Sequence, residues 1–119
     1  MRTIDVQVHA YEHNHPARPW AGVLHGPRSA NGEEMVAAMD AVGVDAAIIV
    51  STFNLYRYDP GYALSVYAKW PERFRVVKPI DVTDPAIDDV VADWAATKGA
   101  VGFASCCATS CRAIRRILG

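Results

Sequence analysis

Cysteine is absent from the first 105 residues of this 119-residue chain, and all three cysteines, Cys106, Cys107 and Cys111, fall in one six-residue window. An odd, crowded set of this kind is no disulfide framework, and its spacing is not that of a zinc site. The thiols therefore read as incidental rather than metal-binding or redox-active. Long apolar runs are missing too, and no stretch approaches the length that spans a bilayer. A net charge of -1 supplies no basic surface for nucleic acid or an anionic membrane. The strand pattern begins directly after Met1, without room for the charged and apolar regions of a leader. These absences lead to the expectation of a cytoplasmic protein whose partner is a small molecule, with no nucleic acid and no membrane.

What is present is the composition of a folded domain, 51% hydrophobic and 21% charged. A chain of this length is one domain by size and can bury a core in an α/β or α+β fold.

The stretch around which the chain is organised is Ile4-Asp5-Val6-Gln7-Val8-His9. Successive side chains of a strand point to opposite faces, so Asp5, Gln7 and His9 are expected on one face and Ile4, Val6 and Val8 on the other. If this is the first strand of a parallel sheet, His9 stands at its carboxyl end, where such folds put their chemistry.

Strand and helix signals then alternate. After a first strand over about Thr3 to Val8 comes a long loop, Ala10 to Gly32, rich in His, Pro, Gly and Arg. Loops of that length often carry function. Asn31 as N-cap with Glu34 three residues on, then Met35, Met39 and Val42, predicts a helix over about Glu33 to Val42 that Gly43 ends. Ala46-Ala47-Ile48-Ile49-Val50 lacks alternation and predicts a parallel strand covered on both faces, over about Asp45 to Ser51.

Asp59-Pro60 predicts a helix start, with the helix running to Trp70 before Pro71. A third strand follows from Phe74 to Ile80, with Pro79 weakening its last residues as ladder donors. Asp84-Pro85 repeats the helix-start device, Ile87, Val90, Val91, Trp94 and Ala95 keep helical spacing, and Gly99 ends the segment. Ala100-Val101-Gly102-Phe103 begins a fourth strand. Such alternation predicts a parallel sheet with right-handed crossovers, either flavodoxin-like or part of a (β/α)8 barrel.

Beyond Phe103 the character changes. Residues 104–119 hold all three cysteines and three arginines but no acidic residue. A short helix from about Cys111 to Leu118 is one reading of this tail. The break divides the chain into a regular part, residues 1–103, and an atypical Cys/Arg-rich part, residues 104–119, and it suggests a reading-frame shift just after Phe103.

Asp5-Val6-Gln7-Val8-His9 resembles the opening DxHxH strand of the amidohydrolase superfamily. The stretch Tyr62-Ala63-Leu64 through Lys69-Trp70-Pro71-Glu72-Arg73-Phe74-Arg75-Val76-Val77 resembles the second-helix and third-strand block of the amidohydrolase-related (amidohydrolase 2) branch. Pro79-Ile80-Asp81 and Gly99-Ala100-Val101-Gly102-Phe103 are similar to further blocks of that branch, in the same order. The resemblance implies a TIM-type (β/α)8 barrel of which this chain is about the first, truncated half. It also implies a metal-dependent hydrolase, usually with zinc, acting on C–O or C–N bonds of a small lactone, ester or amide. Decarboxylation of an aromatic or small carboxylic acid is the alternative within the branch.

In that family the first-strand pair ligates a cation that lowers the pKa of bound water and polarises the substrate carbonyl. The resemblance therefore assigns His9 and Gln7 as metal residues, with His9 matching the second histidine of the motif and Gln7 replacing the first; the alternatives are a buried histidine hydrogen-bonded to backbone for His9 and an amide that positions His9 or substrate for Gln7. An amide oxygen is a poorer zinc ligand than imidazole, so the metal is expected to be weakly held or absent. The ligands that the family takes from later strands lie beyond the fourth strand, and a whole barrel takes about 250 residues. No complete catalytic set is therefore expected, and the chain alone is expected to be inactive.

Other residues have two readings each. Trp20, His25 and Arg28 in the first loop serve either a substrate pocket or surface packing, since loops at this end of a barrel carry specificity. Tyr56 and Arg57, after the second strand, suit an aromatic or carboxylate-bearing substrate, or else helix-entry packing and surface pairing. Glu12-His13-Asn14-His15 holds a second HxH, but on a loop that spacing does not fix convergence, and solvated polar residues are the simpler reading. Two non-catalytic classes stand beside the hydrolase. One is a flavodoxin-like binding module, disfavoured because no Gly-rich phosphate turn follows the first strand. The other is a self-associating fragment, a homo-oligomer held through unpaired sheet edges.

Overall fold

Local sequence signals start and stop the helices. In this computed structural model, which describes residues 2–107 and 110–116 and the side chains of 2–105, strand β1 (Ile4–Val8) leads through the long loop to helix α1 (Gly32–Val42). Asn31 Oδ1 accepts from the Glu34 backbone N–H at 2.8 Å, and the Glu34 carboxylate accepts in return from the Asn31 N–H. That reciprocal cap satisfies two of the donors a helix start leaves free. Gly43 ends α1 at φ 78°, a left-handed conformation that costs glycine little.

The two Asp-Pro pairs lead into helices, but α3 begins one residue and α4 two residues later than the pairs predict. Asp59 Oδ1 accepts from the Gly61 N–H at 2.8 Å, and helix α3 covers Gly61–Lys69 with Pro60 as its N-cap residue. Asp84 Oδ1 likewise accepts from the Ala86 N–H at 2.9 Å before helix α4, Ile87–Ala95. Between β2 (Ala46–Val50) and α3 lies one further helical turn, α2 (Phe53–Tyr56). Strand β3 covers Phe74–Ile80 and β4 Ala100–Cys107.

Strands β1 to β4 lie side by side in chain order, each parallel to the next. A flavodoxin-like sheet would place β1 between β2 and β3. The observed order removes that alternative and is that of the first part of a (β/α)8 barrel.

The two faces of the sheet are unequal. Ala47, Ile49, Phe74 and Val76 join Met39, Leu55, Ala63, Val66 and Trp94 in the main core, under the helices. Val50, Val77 and Ala104 form a small second cluster, with Ile48 and Val101 packed against it. Phe74, Ile49, Leu55 and Val76 are among the largest fully buried side chains, and burial of a side chain of this size stabilises by about 1.5–3 kcal/mol. Trp94 ties α4 to the sheet by donating its indole N–H to the Gly102 carbonyl at 2.7 Å.

Two departures from the sequence expectation concern the ends of the sheet. In β1, Ile4 pairs with Ala46 and Asp5 with Ala47, but Val8 pairs with Ile49, so β1 carries one extra residue. This bulge breaks strict alternation, setting Ile4 beside Ala46 and Val8 beside the core residue Ile49. At the far edge, β5 (Ser110–Arg116) runs antiparallel to β4, with Ala104 opposite Ile114. Backbone pairing to β4 thus replaces the expected helix from Cys111, whose last residues, 117 and 118, lie outside the described residues. The side chains of Cys106, Cys107 and Cys111 lie outside them as well.

Candidate site at the carboxyl ends of the strands

His9 follows the last residue of β1, and its ring crosses to the neighbouring strand. Its Nδ1 lies 2.9 Å from the carbonyl oxygen of Val50, the last residue of β2. A carbonyl only accepts, so Nδ1 carries the hydrogen and the neutral ring keeps its lone pair on Nε2. A bond of this form, from one ring nitrogen to a backbone carbonyl, is the usual way a protein orients a histidine that acts through its other nitrogen. The side of His9 is exposed, while the next residues, Ala10 and Tyr11, are buried in the core at 1% and 7% exposure. The chain is therefore anchored directly behind the ring.

Gln7 is exposed and lies in the bulged part of β1, where its backbone N–H donates to Asp5 Oδ1 at 3.1 Å. Gln7 and His9 flank Val8, which packs on the main core. Elsewhere along this rim, Ser51 donates from Oγ to the Asp59 carbonyl at 3.1 Å. The Asp81 carboxylate accepts from the backbone and the hydroxyl of Thr83 at 2.9 and 2.7 Å, and these bonds hold it below its ordinary range.

The residues read as substrate contacts separate into two settings. Trp20 donates its indole N–H to the Glu12 carbonyl at 2.9 Å and meets Tyr11 edge-on at 6.0 Å. Tyr56 is 7% exposed, and its hydroxyl accepts from the Glu12 N–H at 3.1 Å; burial raises its pKa. Both rings brace the first loop. Arg57 is exposed, with its guanidinium 5.2 Å from the Phe53 ring, and it adopts φ 53° and ψ -120°, the one positive φ of a non-glycine residue among those described. Such a conformation in a residue with a Cβ is strained. His25 and Arg28 are exposed.

Glu12, which the sequence reads as one of several solvated polar loop residues, is instead a hub of the first loop. Its Oε1 accepts from His15 Nε2 at 2.7 Å and from Arg18 Nη1 at 2.9 Å. Burial would raise this carboxyl, and the His15 and Arg18 bonds together outweigh it and hold it below its ordinary value. Arg18 also lies 5.4 Å from the centre of the Tyr62 ring. The Glu12–His15 spacing was the available signal for this pair, and the turn over residues 15–18, closed by the Arg18 N–H to His15 carbonyl bond at 3.1 Å, brings Arg18 back to the same carboxylate. A cleft of about 300 Å³ opens beside this hub, lined by Glu12, His13, Gly32, Tyr62, Lys69 and Trp70. Its charges are already engaged, Glu33 with Lys69 and Glu12 with Arg18.

The donor set tests the metal that the resemblance implies. A zinc centre needs three or four protein ligands. Among the described residues no group of three or more His, Cys, Asp and Glu side chains is placed to hold an ion. One imidazole and one amide do not make that set, so these residues do not by themselves fit a catalytic zinc. Among the described residues, too, no helix is long and apolar enough to cross a membrane.

No family model matches the sequence, and no curated protein matches it. Solved structures do share the fold. One is a probable 2-pyrone-4,6-dicarboxylic acid hydrolase from Acinetobacter baumannii with citric acid bound, at TM-score 0.65 and 17% identity over 87% of this chain and 37% of that one. Another is a protein from Agrobacterium tumefaciens in its apo form, at TM-score 0.64 and 26% identity over 87% of this chain and 36% of that one. The chain thus spans little more than a third of either structure and shares with them the parallel (β/α) fold of about the first half of a barrel.

Proposed function

We propose that this chain carries the first-strand part of an amidohydrolase-type site, for hydrolysis of a C–O or C–N bond in a small carboxylate-bearing molecule such as a lactone or ester. The observation that carries this reading is the His9 ring, held through Nδ1 to the Val50 carbonyl with Nε2 free, at the carboxyl end of the first of four parallel strands. The resemblance of Asp5 to His9 to the superfamily's opening strand supports it. So does the fold shared with the probable 2-pyrone-4,6-dicarboxylic acid hydrolase.

His9 is the imidazole that the chain contributes, and Arg57 is the cation for a substrate carboxylate, which a guanidinium grips with two parallel bonds. A divalent metal, zinc in the family, belongs to the complete site, and the residues present do not complete its ligand set. The chain alone is accordingly inactive in hydrolysis. The rest of the site requires ligands from strands beyond the fourth.

Titration of the labelled chain with citrate or a dicarboxylate lactone, followed by NMR, tests this reading. It predicts shifts of the His9 ring and of the residues around Arg57, reduced in Arg57→Ala. Shifts confined to the cleft between α1 and α3, or absent, contradict it.

A further inference from the structure

Three consecutive residues of α2 are each bonded to the first loop, and the residue that follows them is Arg57. The Ala21 N–H donates to the Leu55 carbonyl at 2.8 Å. The Asn54 side-chain amide donates to the Val23 carbonyl at 2.8 Å, and the Tyr56 hydroxyl accepts from the Glu12 N–H. Gly22 fits between the first two of these bonds because it has no side chain. A Cβ there would press on the Asn54 carbonyl and lie 2.6 Å from Asn54 Oδ1, closer than a Cβ can come without a shift. The loop that begins directly after His9 thus closes onto the turn that ends at Arg57.

The backbone of Arg57, at φ 53° and ψ -120°, is strained, and such strain persists only where the surroundings over-determine it. Within α2 the Arg57 N–H donates to the Phe53 carbonyl at 2.9 Å, but a single helical turn is marginal on its own. Leu55 and Tyr56 are buried and hold the turn to the core. Asn54 is exposed, and its amide is spent on the loop.

We propose that Asn54 is a positioning residue for carboxylate recognition: by tying α2 to the first loop it holds Arg57 where the guanidinium meets the substrate. The segment that leaves His9 then also sets the cation for the same ligand. Asn54 acts through Arg57 and not on the ligand itself. The inference rests on the assignment of Arg57 to the substrate carboxylate and deepens it.

Citrate titrations of the labelled chain, read by NMR at the His9 ring, test it with the wild type, Asn54→Ala, Arg57→Ala and the double variant. Asn54→Ala should weaken citrate binding about two- to tenfold, the worth of one such hydrogen bond, with an unchanged circular dichroism spectrum. In the Arg57→Ala background the same change should have no further effect on the binding that remains, since the two residues act as a unit. Without ligand, the Arg57 amide hydrogen should exchange faster in Asn54→Ala, while that of Leu64 in α3 keeps its rate. Gly22→Ala, which presses on the same contact from the loop side, should reproduce both changes. Equal citrate affinity for Asn54→Ala and the wild type, an equal loss in both backgrounds, or an unchanged Arg57 exchange rate overturns the inference. A wild-type chain without citrate shifts contradicts the carboxylate reading instead, and the exchange comparison alone then decides for or against the clasp.

Discussion

His9 Nδ1 and the Val50 carbonyl oxygen, 2.9 Å apart, join the carboxyl ends of the first two strands through a side chain. The bond does two things. It closes the top of β1, a strand with few other neighbours, and it fixes which ring nitrogen is left for chemistry.

Arg57 is strained where it stands. Glycine adopts its φ of 53° without a clash, although glycine also gains freedom in the unfolded chain. Arg57→Gly is expected to stabilise the fold by about 1 kcal/mol, the strain relieved less the entropy lost. Urea denaturation measures it. The same variant is expected to lose carboxylate-induced shifts at His9, so stability and binding should move in opposite directions.

Glu12 gives the first loop a pH dependence. Its folded pKa lies below the ordinary 4.5, so the stabilisation is fully present above that value and is lost as pH falls through the folded pKa. Denaturation midpoints should therefore drop in acid more steeply for the wild type than for Glu12→Gln. At neutral pH, Glu12→Gln is expected to cost about 1.5–3 kcal/mol, the range for hydrogen bonds to a charged group. Parallel pH profiles for the two proteins would contradict this assignment.

Gly99 and Gly43 separate two reasons for a glycine. Both have positive φ, 90° and 78°. A Cβ at Gly99 would sit 2.6 Å from Tyr67 Cδ1, whereas one at Gly43 would meet nothing within 4 Å. Gly43→Ala should cost about 1 kcal/mol from backbone conformation alone. Gly99→Ala should cost clearly more, and thermal or chemical denaturation of the two variants side by side checks the order.

Local signals were legible in the sequence because their causes are local. Asn31 with Glu34, Gly43, and the carboxylates of Asp59 and Asp84 act within three residues, and the apolar run Ala46 to Val50 shows directly that β2 is covered on both faces. Long-range pairing was not legible. The order of the strands depends on which strand β1 chooses, and the bulge between Asp5 and Val8 depends on its register with Ala47 and Ile49. Nothing in Ser110 to Arg116 announces its partner β4, so a short helix is as readable there as the strand that forms.

The candidate site follows the same division. The type and position of His9 could be read from the alternating strand, but not its carbonyl partner on another strand. Trp20 and Tyr56 show in sequence as aromatic residues in loops; that both spend their polar atoms on the Glu12 backbone depends on a contact across 44 residues for Tyr56.

The ¹⁵N spectrum of the His9 ring, at a pH where it is neutral, decides which ring nitrogen is left for chemistry. A protonated Nδ1 and a bare Nε2 are expected, with the Nδ1 hydrogen protected from exchange by the Val50 carbonyl. A ring protonated on Nε2, or one averaging between the two tautomers like a free side chain, would contradict this orientation.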